Sequence, residues 1–125
     1  MTPQDRALLM VYTSVKHRLT IGLVEYLEAV KDWEVIPLTE SGRVIGGVLV
    51  KDNEIHVGYG VKPIGSIRAY IRSVLGGVID KHGFAITTVQ AENLIGLRFC
   101  ERLGFVKLSA NDGKILLRCD RSNYL

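Results

Sequence analysis

The side chains in this 125-residue chain that could do chemistry fall in three short stretches. The stretch Gln90 to Phe105 carries Asn93, Gly96 and Cys100. A thiol with an ordinary pKa near 8.5 can donate a proton to a departing group, but buried in a core it is an inert packing residue. The run Val61-Lys62-Pro63-Ile64-Gly65-Ser66 leads into a long helical pattern. Free N–H groups and the dipole at a helix start favour an anion, glycine permits close approach, and Lys62 adds a point charge. The simpler reading is a Pro-Gly-Ser turn with Ser66 as an ordinary cap. His56 lies on an apolar, strand-like run with the intrinsic pKa of a general base. Alternation places Glu54 on its face and Tyr59 on the other. A lone strand histidine also serves simply as a packing or surface residue.

Positioning these groups falls to elements whose ends are marked. Asn93 suits an N-cap, and Gly104 suits the left-handed residue that ends a helix, with Phe105 folding back towards Cys100. Phe84–Gln90 before this helix and Phe105–Ser109 after it read as strands. Asp112-Gly113 then turns the chain into Lys114–Asp120. Upstream, Thr2 and Pro3 start a helix with Leu8, Val11, Tyr12, Val15 and Leu19 at helical spacing. Thr20 is expected to cap a second helix that buries Leu23, Val24, Leu27 and Val30. Trp33–Leu38 reads as an edge strand because of Pro37. Arg43–Lys51 follows, its Gly46-Gly47 pair implying a bulge or a close backbone approach, and then Glu54–Val61. Ile67, Tyr70, Ile71, Val74, Leu75, Val78 and Ile79 form an apolar helical stripe. Gly76-Gly77 implies close packing or a kink there, and Gly83 ends that helix. The tail Arg121 to Leu125 reads as a frayed end or a contact arm. This order predicts a mixed α/β (α+β) domain with helices on a mostly antiparallel sheet. Residues 1–125 are expected to form a single domain, with helices over 1–32 and a sheet-and-helix core over 33–120.

The net charge of +3 is mild, and the basic residues are scattered. An anionic partner fits; a nucleic-acid platform, with its basic block and interleaved aromatics, does not. With 47% hydrophobic and 23% charged residues, the composition is that of a folded globular chain. No apolar run reaches the roughly 20 residues of a spanning helix, and the start lacks signal-peptide features, so the expected location is cytoplasmic. Cys100 and Cys119 have no metal-ligand spacing and are expected as free thiols, with no metal bound. His17 and His82, near helix C-termini, read as structural.

The string Asn93, Gly96, Phe99-Cys100 and Leu103-Gly104-Phe105 resembles the C-terminal motif of the GCN5-related N-acetyltransferase (GNAT) family, with Cys100 where that pattern has tyrosine. Val61-Lys62-Pro63 also matches the family's strand end, while the phosphate loop after it is about three or four residues short. The resemblance covers roughly Trp33 to Cys119 and implies the GNAT fold without its first strand. It further implies an acetyl-CoA-dependent N-acetyltransferase whose acceptor amine attacks the thioester directly. Acetyl-CoA would lie between the Glu54–Val61 and Phe84–Gln90 strands, its phosphates near Lys62, Gly65 and Ser66 and its pantetheine arm near Asn93 and Gly96. The N–H of Val61 would stabilise the oxyanion, His56 would be the base and Cys100 the acid. The short loop and absent tyrosine keep an alternative open, a catalytically inactive GNAT-fold interaction protein such as a bacteriophage internal virion protein.

Overall fold

The computed structural model of the chain describes residues 1–123. Among the described residues four α-helices and six strands follow one another in the order that the spacing predicts. Helix α1 (Pro3–Val15) starts at Thr2, whose hydroxyl accepts the Asp5 N–H while the Asp5 carboxylate accepts the Thr2 N–H. This reciprocal capping box satisfies two of the first-turn donors. A 3-10 turn (Lys16–Arg18) leads to α2 (Leu23–Ala29). Strands β1 (Glu34–Glu40), β2 (Arg43–Lys51) and β3 (Glu54–Tyr59) follow. Then come α3 (Arg68–His82), β4 (Phe84–Gln90), α4 (Leu94–Leu103), β5 (Val106–Asn111) and β6 (Lys114–Asp120). The six-stranded sheet has the order β1-β2-β3-β4-β6-β5, and no strand precedes α1 among the described residues. The β3–β4 pair is parallel and the β1–β2, β4–β6 and β5–β6 pairs are antiparallel, which makes the sheet mixed.

Contacts gather into two compact units. The first holds residues 1–51 and 56–66. Its core groups Val11, Tyr26 and Leu49, with Leu8, Tyr12, Leu19, Trp33 and Val35 packed around them. Helix α1 lies on β1 and β2, and glycines let it come close. A Cβ on Gly47 would stand 3.0 Å from the Ala7 Cβ, and one on Gly58 2.7 Å from the Ser14 Oγ. On Gly46 it would run into the Gly58 carbonyl and the Tyr59 backbone. The expected close approach at Gly46-Gly47 is thus real, and the register of β1 on β2 also shifts between Leu38 and Thr39. The β1 strand is an edge strand, as Pro37 implies.

The second unit holds, among the described residues, 52–55 and those from 67 onward. Helix α3 buries Ile71, Leu75, Val78 and Ile79 and packs on β4. Ala85, Leu103, Phe105, Ile115, Leu117 and Cys119 are buried in the same unit. The start of β3 pairs with β4 here through Glu54 opposite Ile86, and Ile86 N–H donates to the Asn53 carbonyl at 2.8 Å. Strands β4 and β6 match over their full lengths, Phe84 opposite Asp120 through Gln90 opposite Lys114.

Three expectations need correction. Gly22, not Thr20, is the N-cap of α2, and Tyr26 is its buried residue, while Val24 and Leu27 are exposed. Seven residues are two turns, too few for periodicity to fix which side is buried. Gly77 faces open space, so it allows no close approach, and α3 runs through Gly76-Gly77 as continuous helix. The tail is not frayed as far as Asn123. The Asp120 carboxylate accepts the Ser122 and Asn123 N–H groups, and Arg121 pairs with Asp80 at 2.7 Å. Tyr124 and Leu125 lie outside the described residues.

Candidate functional site

The residues selected from the sequence divide between the units. His56, Val61, Lys62, Gly65 and Ser66 belong to the first, and Asn93, Gly96 and Cys100 to the second.

In the second unit the start of α4 is built as its sequence dictates. The Asn93 Oδ1 accepts the Gly96 N–H at 3.1 Å. Gly96 is what makes room for that cap, since a Cβ there would stand 2.5 Å from the Asn93 Nδ2. The glycine therefore has a structural task in addition to any approach by a ligand. At the other end Gly104 takes a left-handed φ of 106°, and Phe105 N–H donates to the Cys100 carbonyl at 3.0 Å. This is the expected Schellman closure. Burial, with the Glu101 carboxylate adding to it, pushes the Cys100 thiol up to about 11. The group thus stays protonated at neutral pH. Proton transfer from it to an ordinary thiolate is uphill by about two pKa units, which makes it a weak acid for that task. Cys119 is buried and also pushed up to about 11, first by burial and then by Asp120; both cysteines are free thiols.

In the first unit the His56 ring is half-buried and packs on Trp33, with centroids 5.6 Å apart and planes inclined at 46°. Val61 is placed differently from its expected role. Its N–H donates to the Ile45 carbonyl at 3.3 Å, an acceptor that it shares with the Gly60 N–H at 2.9 Å. Two consecutive donors on one acceptor mark a local bulge after β3, and the Val61 donor is directed into the sheet, not left free for an oxyanion.

Lys62, Gly65 and Ser66 are exposed. Ile67, not Ser66, is the N-cap residue of α3, and it offers no side-chain cap. The loop's donors are instead engaged by a residue that sequence reasoning missed. The two carboxylate oxygens of Glu40 accept the Ile64 and Gly65 N–H groups, each at 2.9 Å. These two bonds hold the Glu40 carboxyl below its usual range. Successive N–H groups converging on one carboxylate form an anion cradle of the kind that the glycine suggested. Glu40 stands 25 residues from Gly65, a separation at which no local pattern could have pointed to it.

One further concavity, of about 400 Å³, lies in the second unit among Leu97, Glu101, Phe105, Val106, Lys107, Ile115 and Leu117. None of the selected residues lines it. Among the described residues no group of His, Cys, Asp and Glu side chains is arranged to hold a metal, and no helix is long and apolar enough to cross a membrane.

No protein-family model matches the sequence, and a search of curated proteins finds no match. Solved structures do match. The ribosomal-protein-alanine N-acetyltransferase of Brucella melitensis superposes with a TM-score of 0.70 at 12% identity, covering 96% of both chains. The chain has the GNAT fold. An N-acetyltransferase from Staphylococcus aureus Mu50 gives a TM-score of 0.71 at 11% identity over 96% of this chain and 94% of its own. A GNAT family acetyltransferase from Elizabethkingia anophelis, solved with acetyl-CoA bound, gives 0.69 at 10% identity over 96% and 91%. At such identities the likeness lies in the backbone, and the GNAT fold is here built by different side chains.

Proposed function

We propose that this chain is an acetyl-CoA-dependent N-acetyltransferase acting on a primary amine by direct attack. The observation that carries the reading is a GNAT fold shared over 96% of the chain with an acetyltransferase that holds acetyl-CoA. The Asn93-capped helix supports it from the second unit, and the anion cradle of Ile64 and Gly65 from the first.

In the proposed reaction the cradle and Lys62 receive a phosphate of the donor, with Ser66 beside them. The amine nitrogen attacks the thioester carbonyl carbon, the C–N bond forms, and collapse of the tetrahedral adduct breaks the C–S bond. The nitrogen's surplus proton passes to His56, the one selected residue with a suitable intrinsic pKa. The CoA thiolate takes up a proton from solvent, because Cys100 with a pKa near 11 is a poor donor for it.

The test is amine-dependent release of free CoA thiol from acetyl-CoA, with an alanine-N-terminal peptide, a lysine peptide and a polyamine as acceptors. The reading predicts release with at least one amine and a rate lowered about 100-fold in His56→Ala. Absence of release with every amine overturns it.

A further inference from the structure

The clearest feature left unexplained is Glu40. Its carboxylate spends both oxygens on Ile64 and Gly65 N–H, the donors that the proposed function assigns to a phosphate. Glu40 is the last residue of the edge strand β1, directly before the Ser41-Gly42 turn. Ser41 and Gly42 take φ of 52° and 77°, so the turn fixes the backbone that carries the carboxylate.

We propose that Glu40 is a built-in competitor for the donor's phosphate, occupying the Ile64–Gly65 cradle until the ligand displaces it. The inference rests on the acetyl-CoA reading and deepens it by naming how access to the cradle is regulated. Its physical basis is the match of shapes. A carboxylate and a phosphate each present two oxygens to a pair of adjacent N–H groups, and both gain from the same charge-assisted bonds. The two anions cannot share those donors. The ligand therefore binds only to the fraction of molecules in which Glu40 has swung out, and apparent affinity falls by that fraction. Glu40 is half-buried, but its two bonds to the loop are exposed and it reaches the loop from another element, so the carboxylate can swing out into solvent. No covalent step is involved.

The experiment measures CoA binding by calorimetry to the intact chain and to Glu40→Gln, Glu40→Asp and Glu34→Gln. Glu40→Gln removes the charge. Glu40→Asp keeps the charge but is one methylene too short to reach both donors. Glu34→Gln removes a charge elsewhere on β1. Displacement predicts that Glu40→Gln and Glu40→Asp both tighten CoA binding about tenfold, as expected for a cradle occupied about nine-tenths of the time, with Glu34→Gln unchanged. The backbone amide resonances of Ile64 and Gly65 should shift in both Glu40 variants before ligand is added. Tightening in Glu40→Gln alone would mean a field effect and overturn the displacement. Equal affinity in all four proteins overturns it too, while leaving the acetyl-CoA reading intact. Absence of CoA binding in every protein overturns both.

Discussion

Helices α3 and α4 begin in opposite ways. At α4 the donor exposed by the first turn is satisfied three residues away, by Asn93 on the Gly96 N–H. Before α3 the N-cap Ile67 contributes no side-chain bond, and the loop donors at Ile64 and Gly65 are satisfied by a carboxylate on β1. The first arrangement is local, neutral and partly buried, and the second is long-range, charged and exposed. A local cap belongs to the helix and stabilises it. A charge brought in from a distant strand can be exchanged for another anion. The difference separates a start closed by its own residues from one closed by a charge on a distant strand.

The comparison breaks most readily at Asn93. Asn93→Ala should lower stability by about 1 kcal/mol, the usual cost of losing a cap, read as a lower midpoint in urea with an unchanged slope. Gly96→Ala sharpens the point, because its sign should depend on the background. In the Asn93→Ala protein it should stabilise by about 1 kcal/mol through helix propensity alone. In the native chain the new methyl displaces the cap amide, and the gain should vanish or reverse. The same effect in both backgrounds would show that the cap and the glycine are independent.

Glu40→Gln should move the melting temperature less than Asn93→Ala does, since its two bonds are exposed and the Asn93 bond is partly buried. Its signature is in the acid limb. The Ile64 and Gly65 N–H groups hold the Glu40 carboxyl below its ordinary value when folded, so its contribution is present above the ordinary carboxylate pKa and is lost as pH falls through the lowered one. Wild type should therefore lose stability more steeply than Glu40→Gln below about pH 4.5. Parallel acid limbs would mean that the cradle contact is not formed in solution.

Much of the architecture is legible because its boundaries are written locally. Ser41-Gly42, Asp52, Gly83 and Asp112-Gly113 all take positive φ, and the strands and helix next to them end where these residues imply. Thr2-Pro3 and Asn93 mark their helix starts in the same way. Misreadings arise where a residue's environment is set by distant chain. Gly77 has the composition of a contact but faces open space. Val61 looks like a free donor until the Ile45 carbonyl is placed beside it. Glu40 reads as a surface charge at the end of an edge strand, and only the folded chain brings Ile64 and Gly65 to it. The candidate site is thus half legible: the α4 start follows from its own residues, and the loop before α3 does not.

The most direct measurement is thermal melting of the intact chain with and without millimolar acetyl-CoA. Ligand at about one hundred times its Kd stabilises the folded state by roughly 2.7 kcal/mol, so the melting temperature should rise by several degrees. An unchanged melting temperature at that concentration would contradict the account.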